Sequence, residues 1–262
     1  MEMTQVKKLA DYVHQAEKEK REITKITSNL YPSLTIDEAY LIQEQLILDK
    51  KNEGLRIIGP KMGITSKAKM KQMNVDNPIY GFVFDRMVIE EDEQISMADY
   101  IHPKIEPEIG FILKKDLYGD DITVEEVLNA TKYVFPAVEV IDSRYENFNF
   151  TLPDVIADNT SAAGAIFGYK MSDPNSLALD VLGASIKING EVKAFGTGAA
   201  VLGHPAESIA RLAQMLFKKG KAVKANEPIL TGGMTEAIML HAGDLVEVDF
   251  GQLGHLSFSV TP

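Results

Sequence analysis

The sequence predicts an α+β protein on three observations. Apolar residues recur at helical spacing over roughly the first fifty positions, short β-branched runs bounded by turn signals fill most of the remainder, and Asn189-Gly190 stands between two alternating runs. No repeat, low-complexity tract or linker rich in Gly, Ser or Pro divides the chain. Residues 1–54 therefore read as an N-terminal helical segment packed on one β-rich body over residues 55–262.

The elements follow in order. From Met3 to Ile23 the apolar positions Val6, Leu9, Ala10, Val13 and Ala16 define one face, with Lys and Glu on the other. A second helix starts at Thr35, where Thr35 and Glu38 have capping-box spacing. It carries Ala39, Ile42, Leu46 and Ile47 inward until Gly54 stops it. Strands are expected at "LRIIG", "PIYGFVF", "IEPEIGFIL", "YVFPAVEVI" and "AAGAIFG", and a hairpin at "SIKINGEVKAFG". Pro205 opens a helix with Ile209, Leu212, Leu216 and Phe217 on one face, ended by Gly220. "PILTGG", "DLVEVDF" and "HLSFSV" complete the body, the last two joined by "GQLG".

Composition narrows the chemistry. A net charge of −11 over 262 residues argues against nucleic acid or an anionic membrane as partner, because both demand clustered Lys and Arg. Without cysteine there is no disulfide, thiol nucleophile or zinc-thiolate site, so a metal must sit on oxygen or imidazole. The N-terminus lacks an apolar signal core and no run of eighteen apolar residues occurs, which makes the cytoplasm the expected location. Dinucleotide, P-loop and G-x-S-x-G motifs are missing, and the five histidines show no metal-ligand spacing.

Alternation along a strand places Glu106 and Glu108 of "IEPEIGFIL" on one face. Such a pair fits the solvated face of an edge strand, a setting that Pro107 favours. Glu139 weighs the other way. It is embedded in the apolar run "YVFPAVEVI", where an ionised carboxylate is costly unless paired or metal-bound. Three carboxylates on two neighbouring strands suit a hard cation, Mg²⁺ or Mn²⁺.

Several further residues are candidates. Lys61, read at the end of a strand, either remains a solvated charge or enters a pocket as second cation or proton donor. Residues 143–150, "SRYENFNF", read either as a substrate lid or as a surface loop anchored by Tyr145 and Phe148. The cluster Asp158, Asn159, Thr160 and Ser161 suits a tight turn or a ligand contact. Thr231, Gly232 and Gly233 suit a backbone cradle for a substrate carboxylate.

These motifs, in the order "KMGITSKAKMKQM", "PIYGFVFD", "HPKIEPEIGF", "VEVIDSRYENF", "ADNTSAAG", "GAAVLGHPAESIARLA" and "ILTGGMTEA", resemble the hydratase/decarboxylase branch of the fumarylacetoacetate hydrolase superfamily. The resemblance covers nearly the whole chain. It implies a mixed β-roll or barrel with flanking helices, and a Mg²⁺ or Mn²⁺ site on Glu106, Glu108 and Glu139. It also implies Lys61 as the catalytic lysine and Thr231 with Gly232 as the substrate cradle. The His-Glu pair of the superfamily's hydrolases has no placeable equivalent, which counts against hydrolysis.

The implied activity is metal-dependent decarboxylation of 2-oxohex-3-enedioate (4-oxalocrotonate) to 2-hydroxypenta-2,4-dienoate in meta-cleavage catabolism of aromatic compounds. Hydration of that dienoate is the alternative, and a non-catalytic role stabilising such a hydratase is a third. Arg144, or backbone amides near "ADNTS", is the expected contact for the substrate's second carboxylate, and Asp158 and Ser161 are expected among the substrate-binding residues. A homo-oligomer and a complex with the hydratase are the expected assemblies.

Overall fold

Thr35 begins the second long helix as its spacing with Glu38 requires: Thr35 Oγ1 accepts the Glu38 amide at 3.3 Å while the Glu38 carboxylate accepts the Thr35 amide at 3.1 Å. The computed structural model describes residues 1–91 and 93–262. Its helical N-terminal part comprises α1 (Met3–Glu19), the short α2 (Ile26–Asn29) and α3 (Ile36–Asn52). Val6, Leu9, Ala10, Val13 and Ala16 of α1 are fully buried, as are Ile42 and Leu46 of α3. Burial of each larger aliphatic side chain contributes about 1.5–3 kcal/mol. α1 stops short of Ile23 because Lys20 turns left-handed, with φ 51°; Ile23 instead bridges to Tyr145.

The body follows as β1 (Ile57–Gly63), α4 (Lys67–Met73), β2 (Ile79–Phe84), β3 (Val88–Ile89), β4 (Ile95–Ser96), β5 (Lys104–Leu113), α5 (Val124–Ala130) and β6 (Thr131–Ile141). It continues through α6 (Leu152–Ala157), β7 (Ala162–Phe167), β8 (Gly183–Ile188), β9 (Glu191–Thr197) and α7 (Pro205–Phe217). β10 (Pro228–Leu230), β11 (Ile238–Met239), β12 (Leu245–Asp249) and β13 (His255–Thr261) complete it. Among the described residues one sheet runs β2-β1-β10-β5-β6-β7-β3, with β11 also pairing β5. A second runs β4-β13-β12-β8-β9. Both mix parallel and antiparallel pairs. The hairpin turn sits where expected, with Asn189 and Gly190 at φ 55° and 82° joining β8 to β9.

Two expectations about strand position are corrected. β5 is not an edge strand: β6 flanks one side, β10 and β11 the other. Pro107 is tolerated there because its carbonyl, which accepts the Met234 amide at 2.9 Å, points into the gap between β10 and β11. Its missing donor points the same way and breaks no ladder bond. Nor does Pro107 bulge the strand, whose register on β6 is regular from Lys104 to Ile112. Lys61, expected at a strand end, lies inside β1, opposite Gly81 on β2 and Leu230 on β10.

Candidate metal centre

Antiparallel pairing of β5 and β6 sets Glu106 directly across from Glu139, and Glu108 opposite Ala137. Directly opposed residues share a face, so the three glutamates project together. Each offers an oxygen within 4.8 Å of the others, and all are buried. Two cations touch the cluster. Lys61 Nζ lies 2.9 Å from Glu139 Oε1 and donates to the Thr160 carbonyl at 3.0 Å. Lys69 Nζ donates to Glu106 Oε1 at 2.8 Å. Lys69 is held on α4 by the cap of that helix, where Ser66 Oγ accepts the Lys69 amide at 3.1 Å.

Backbone geometry fixes the rest. The Gly232 amide donates to Glu108 Oε2 at 2.7 Å, from a residue at φ 108° whose added Cβ would collide with Thr65. Thr231 Oγ1 donates to the Ile109 carbonyl at 2.8 Å. The carbonyl facing Lys61 comes from a turn in which Asn159, Thr160 and Ser161 all take left-handed conformations, φ 57°, 57° and 55°. That costs roughly 1–2 kcal/mol per residue. The turn is secured on both sides: Asn159 exchanges two hydrogen bonds with the Phe82 backbone, and Thr160 Oγ1 donates to the Tyr80 carbonyl. Asp158 accepts the Ser161 and Arg144 amides.

The electrostatics leave this cluster short of positive charge. Burial drives the Glu108 carboxyl well above its ordinary range, with Glu139 adding repulsion and Lys61 opposing. Burial also raises Glu139, with Lys61 opposing and Glu106 reinforcing. Lys69 is raised chiefly by the attraction of Glu106. Glu108 Oε1 and Glu139 Oε2 meet no hydrogen-bond donor. Three clustered carboxylates with unpaired buried oxygens are a donor set suited to a hard divalent cation, so the residues fit the expected metal.

The other expected contacts fall elsewhere. Arg144 does not reach the glutamates: its guanidinium is buried against Glu17 of α1 at 3.0 Å and donates to the carbonyls of Asp142 and Ala162. Burial works against the Glu17 carboxylate, but Arg144 and Lys50 together hold it down at about 2. A cavity of about 260 Å³ beside Arg144 is lined by His14, Glu17, Lys50, Phe84 and Asp142, and by none of the three glutamates. Asp158 and Ser161 bond one another inside the turn, and burial raises Asp158 to about 7. The Gly232 amide is engaged by Glu108 rather than left open for substrate.

Residues 143–150 do not form a free lid. Ser143, Arg144 and Tyr145 are buried, and the Ile23 amide and carbonyl bond the Arg144 carbonyl and Glu146 amide. At the far end the Phe148 ring lies 4.0 Å from Lys104 Nζ of β5. Sequence reading missed two cations. Lys104 was findable, being two residues before Glu106 on the same strand face. Nothing distinguishes Lys69 from its neighbours in "KAKMK".

Comparison with known proteins agrees with this geometry. The chain matches the family described as Fumarylacetoacetate (FAA) hydrolase C-terminal over residues 59–261. It is 44% identical to a 4-oxalocrotonate decarboxylase from Pseudomonas sp. (strain CF600), covering 97% of this chain and 96% of that one. A 2-hydroxyhexa-2,4-dienoate hydratase from Comamonas testosteroni is 36% identical, with 95% of each chain covered. Among solved structures, 4-oxalocrotonate decarboxylase from Pseudomonas putida G7 complexed with magnesium and adipate superposes with a TM-score of 0.97 at 41% identity, covering 99% of this chain and 98% of that one. Together with the carboxylate cluster raised on β5 and β6, these matches establish that the chain belongs to the fumarylacetoacetate hydrolase family.

Proposed function

We propose that the protein is a Mg²⁺-dependent decarboxylase that converts 2-oxohex-3-enedioate to 2-hydroxypenta-2,4-dienoate and CO₂. The observation that carries the metal-dependent part is the buried Glu106, Glu108 and Glu139 cluster with its unpaired oxygens beside Lys61. Likeness to the named decarboxylases supports this choice of substrate, and the six-carbon diacid adipate, bound with magnesium in the Pseudomonas putida G7 enzyme, has the matching length.

The three glutamates would hold the cation, which supplies Lewis-acid stabilisation of charge at the substrate's 2-oxo oxygen. In the reaction the C5–C6 bond breaks and its electron pair becomes the C4=C5 bond. The C3=C4 pair moves to C2=C3, and the C2 oxygen takes the charge and then a proton. We assign Lys61 to meet that charge. Its ammonium is buried, anchored by Glu139 and the Thr160 carbonyl, and retains a third N–H to offer. The turn at Asn159–Ser161 holds that lysine in place.

Hydration of 2-hydroxypentadienoate is the second reading, favoured by the hydratase relative at 36% identity. Intact clustering of the glutamates supports a catalyst over a scaffold for a partner hydratase. Incubating the protein with Mg²⁺ and each substrate, while following CO₂ and dienol absorbance, tests the choice. Release of one CO₂ per diacid consumed is expected. Rapid hydration of the dienoate without turnover of the diacid would overturn the proposal. Copurification with a hydratase as a homo-oligomeric or mixed complex is expected on the same reading, and native mass spectrometry reads it. No helix among the described residues is long and apolar enough to cross a membrane.

A further inference from the structure

The substrate proposed above has a second carboxylate, and Arg144, Asp158 and Ser161 are each engaged by partners other than the three glutamates. Another partner must meet that charge. β5 itself offers one: Lys104, Glu106 and Glu108 alternate along a single strand face. Lys104 makes no ion pair among the described residues. Its ammonium faces the Phe148 ring at 4.0 Å, and that ring packs on His102 at 4.6 Å. Lys69 reaches the same region from α4 and is held by Glu106 alone, with its side chain 42% exposed. Once a cation takes up the charge of Glu106, the ammonium of Lys69 loses much of its reason to stay there.

Length supports this placement. Five C–C bonds of about 1.5 Å in an extended zigzag set the two carboxyl carbons of a six-carbon diacid about 6 Å apart. One i to i+2 step along a strand is roughly 6.7 Å. A diacid with its 2-oxo acid end at the glutamates, lying along β5 towards the start of that strand, would carry its other end to the level of Lys104.

We propose that Lys69 and Lys104 form the subsite for the substrate's second carboxylate. The proposal rests on the 2-oxo acid reading of the cluster. It assigns both lysines to binding rather than to bond breaking. The C6 carboxylate loses its charge as CO₂ departs, so a cation beside it favours the ground state over the transition state. Loose holding suits that task, and neither lysine is locked by a network of hydrogen bonds: one faces an aromatic ring, the other meets a single carboxylate.

The test uses two stable ligands that differ only at C6, 2-oxoadipate and 2-oxohexanoate, titrated calorimetrically into the Mg²⁺-loaded protein. Wild type should bind 2-oxoadipate about 10- to 100-fold more tightly, the range expected for a charge-assisted contact. Lys104→Gln and Lys69→Gln should each reduce that preference about tenfold. Lys104→Gln, which touches no glutamate of the cluster, should leave 2-oxohexanoate affinity within about twofold, and Lys104→Arg should restore the preference. In turnover of 2-oxohex-3-enedioate, Lys104→Gln should raise KM with kcat unchanged or higher. An undiminished preference in both variants, or a tenfold fall in kcat at constant KM, would overturn the subsite while leaving the metal reading intact. Failure of both ligands to bind wild type would overturn the reading beneath it.

Discussion

Glu106 and Glu139 face one another as register partners on β5 and β6, a like-charge pair where like charges are ordinarily destabilising. With Glu108 adjoining them, the sheet stores an electrostatic deficit that a cation relieves. Replacing Glu139 by Gln should leave the metal-free fold as stable as wild type or more so. Metal affinity should fall by more than about 100-fold, since loss of a mere outer partner already costs 10- to 100-fold. Calorimetric titration with Mg²⁺ and thermal melts in chelator check both halves.

The same deficit sets a pH dependence of stability. Glu139 and Glu108 are raised by burial above the ordinary glutamate value of 4.5, so the metal-free folded chain keeps protons that the unfolded chain has released. Where the folded state binds more protons, stability falls as pH rises. Asp158, raised to about 7 from 3.8, adds a contribution of the same sign. Melting temperature in chelator should therefore decline between about pH 5 and pH 7. Saturating Mg²⁺ should flatten the slope by replacing protons, and Glu139→Gln should make it shallower without metal. A flat metal-free profile would contradict the assignment.

Arg144 should act on stability rather than on substrate. Its pairing with half-buried Glu17 predicts that Arg144→Met destabilises the protein by about 1–3 kcal/mol, because Glu17 loses one of its two cations and keeps only Lys50. Adding Glu17→Gln should recover part of the loss. Urea unfolding measures both changes, and the folded fraction should retain the wild-type KM.

Gly232 is the glycine whose amide holds a glutamate of the cluster, and it has no room for a methyl group. At φ 108° and against Thr65, Gly232→Ala should cost more than about 1 kcal/mol and pull the amide from Glu108. Weaker Mg²⁺ binding should accompany the lower melting temperature. Gly243, at φ 92° with open space around it, is the control: Gly243→Ala should cost backbone strain alone and leave Mg²⁺ binding unchanged.

Much of this was legible because period and chemistry coincide. Alternation put Glu106 and Glu108 on one face, an apolar run flagged Glu139, and Asn-Gly marked the β8–β9 turn. Short helices were missed although α5 carries a capping box at Thr123 and Glu126; one or two turns of helix leave too few apolar positions to show a period. Arg144 was misplaced because its partner, Glu17, lies in the first helix, and pairing across such a separation leaves no local trace. Thr160 drew notice as a polar residue, whereas the contact with Lys61 comes from its carbonyl, which every residue possesses.

Direct contacts run from Glu17 to Arg144, from Arg144 to Asp158, through the left-handed turn to the Thr160 carbonyl, and from there to Lys61 and Glu139. For anyone trimming the protein, the N-terminal helices are thus not a detachable appendage. Excising α1 would strand a guanidinium in the interior next to the turn that anchors Lys61. A minimal version of this enzyme must keep its first helix or redesign residue 144 with it.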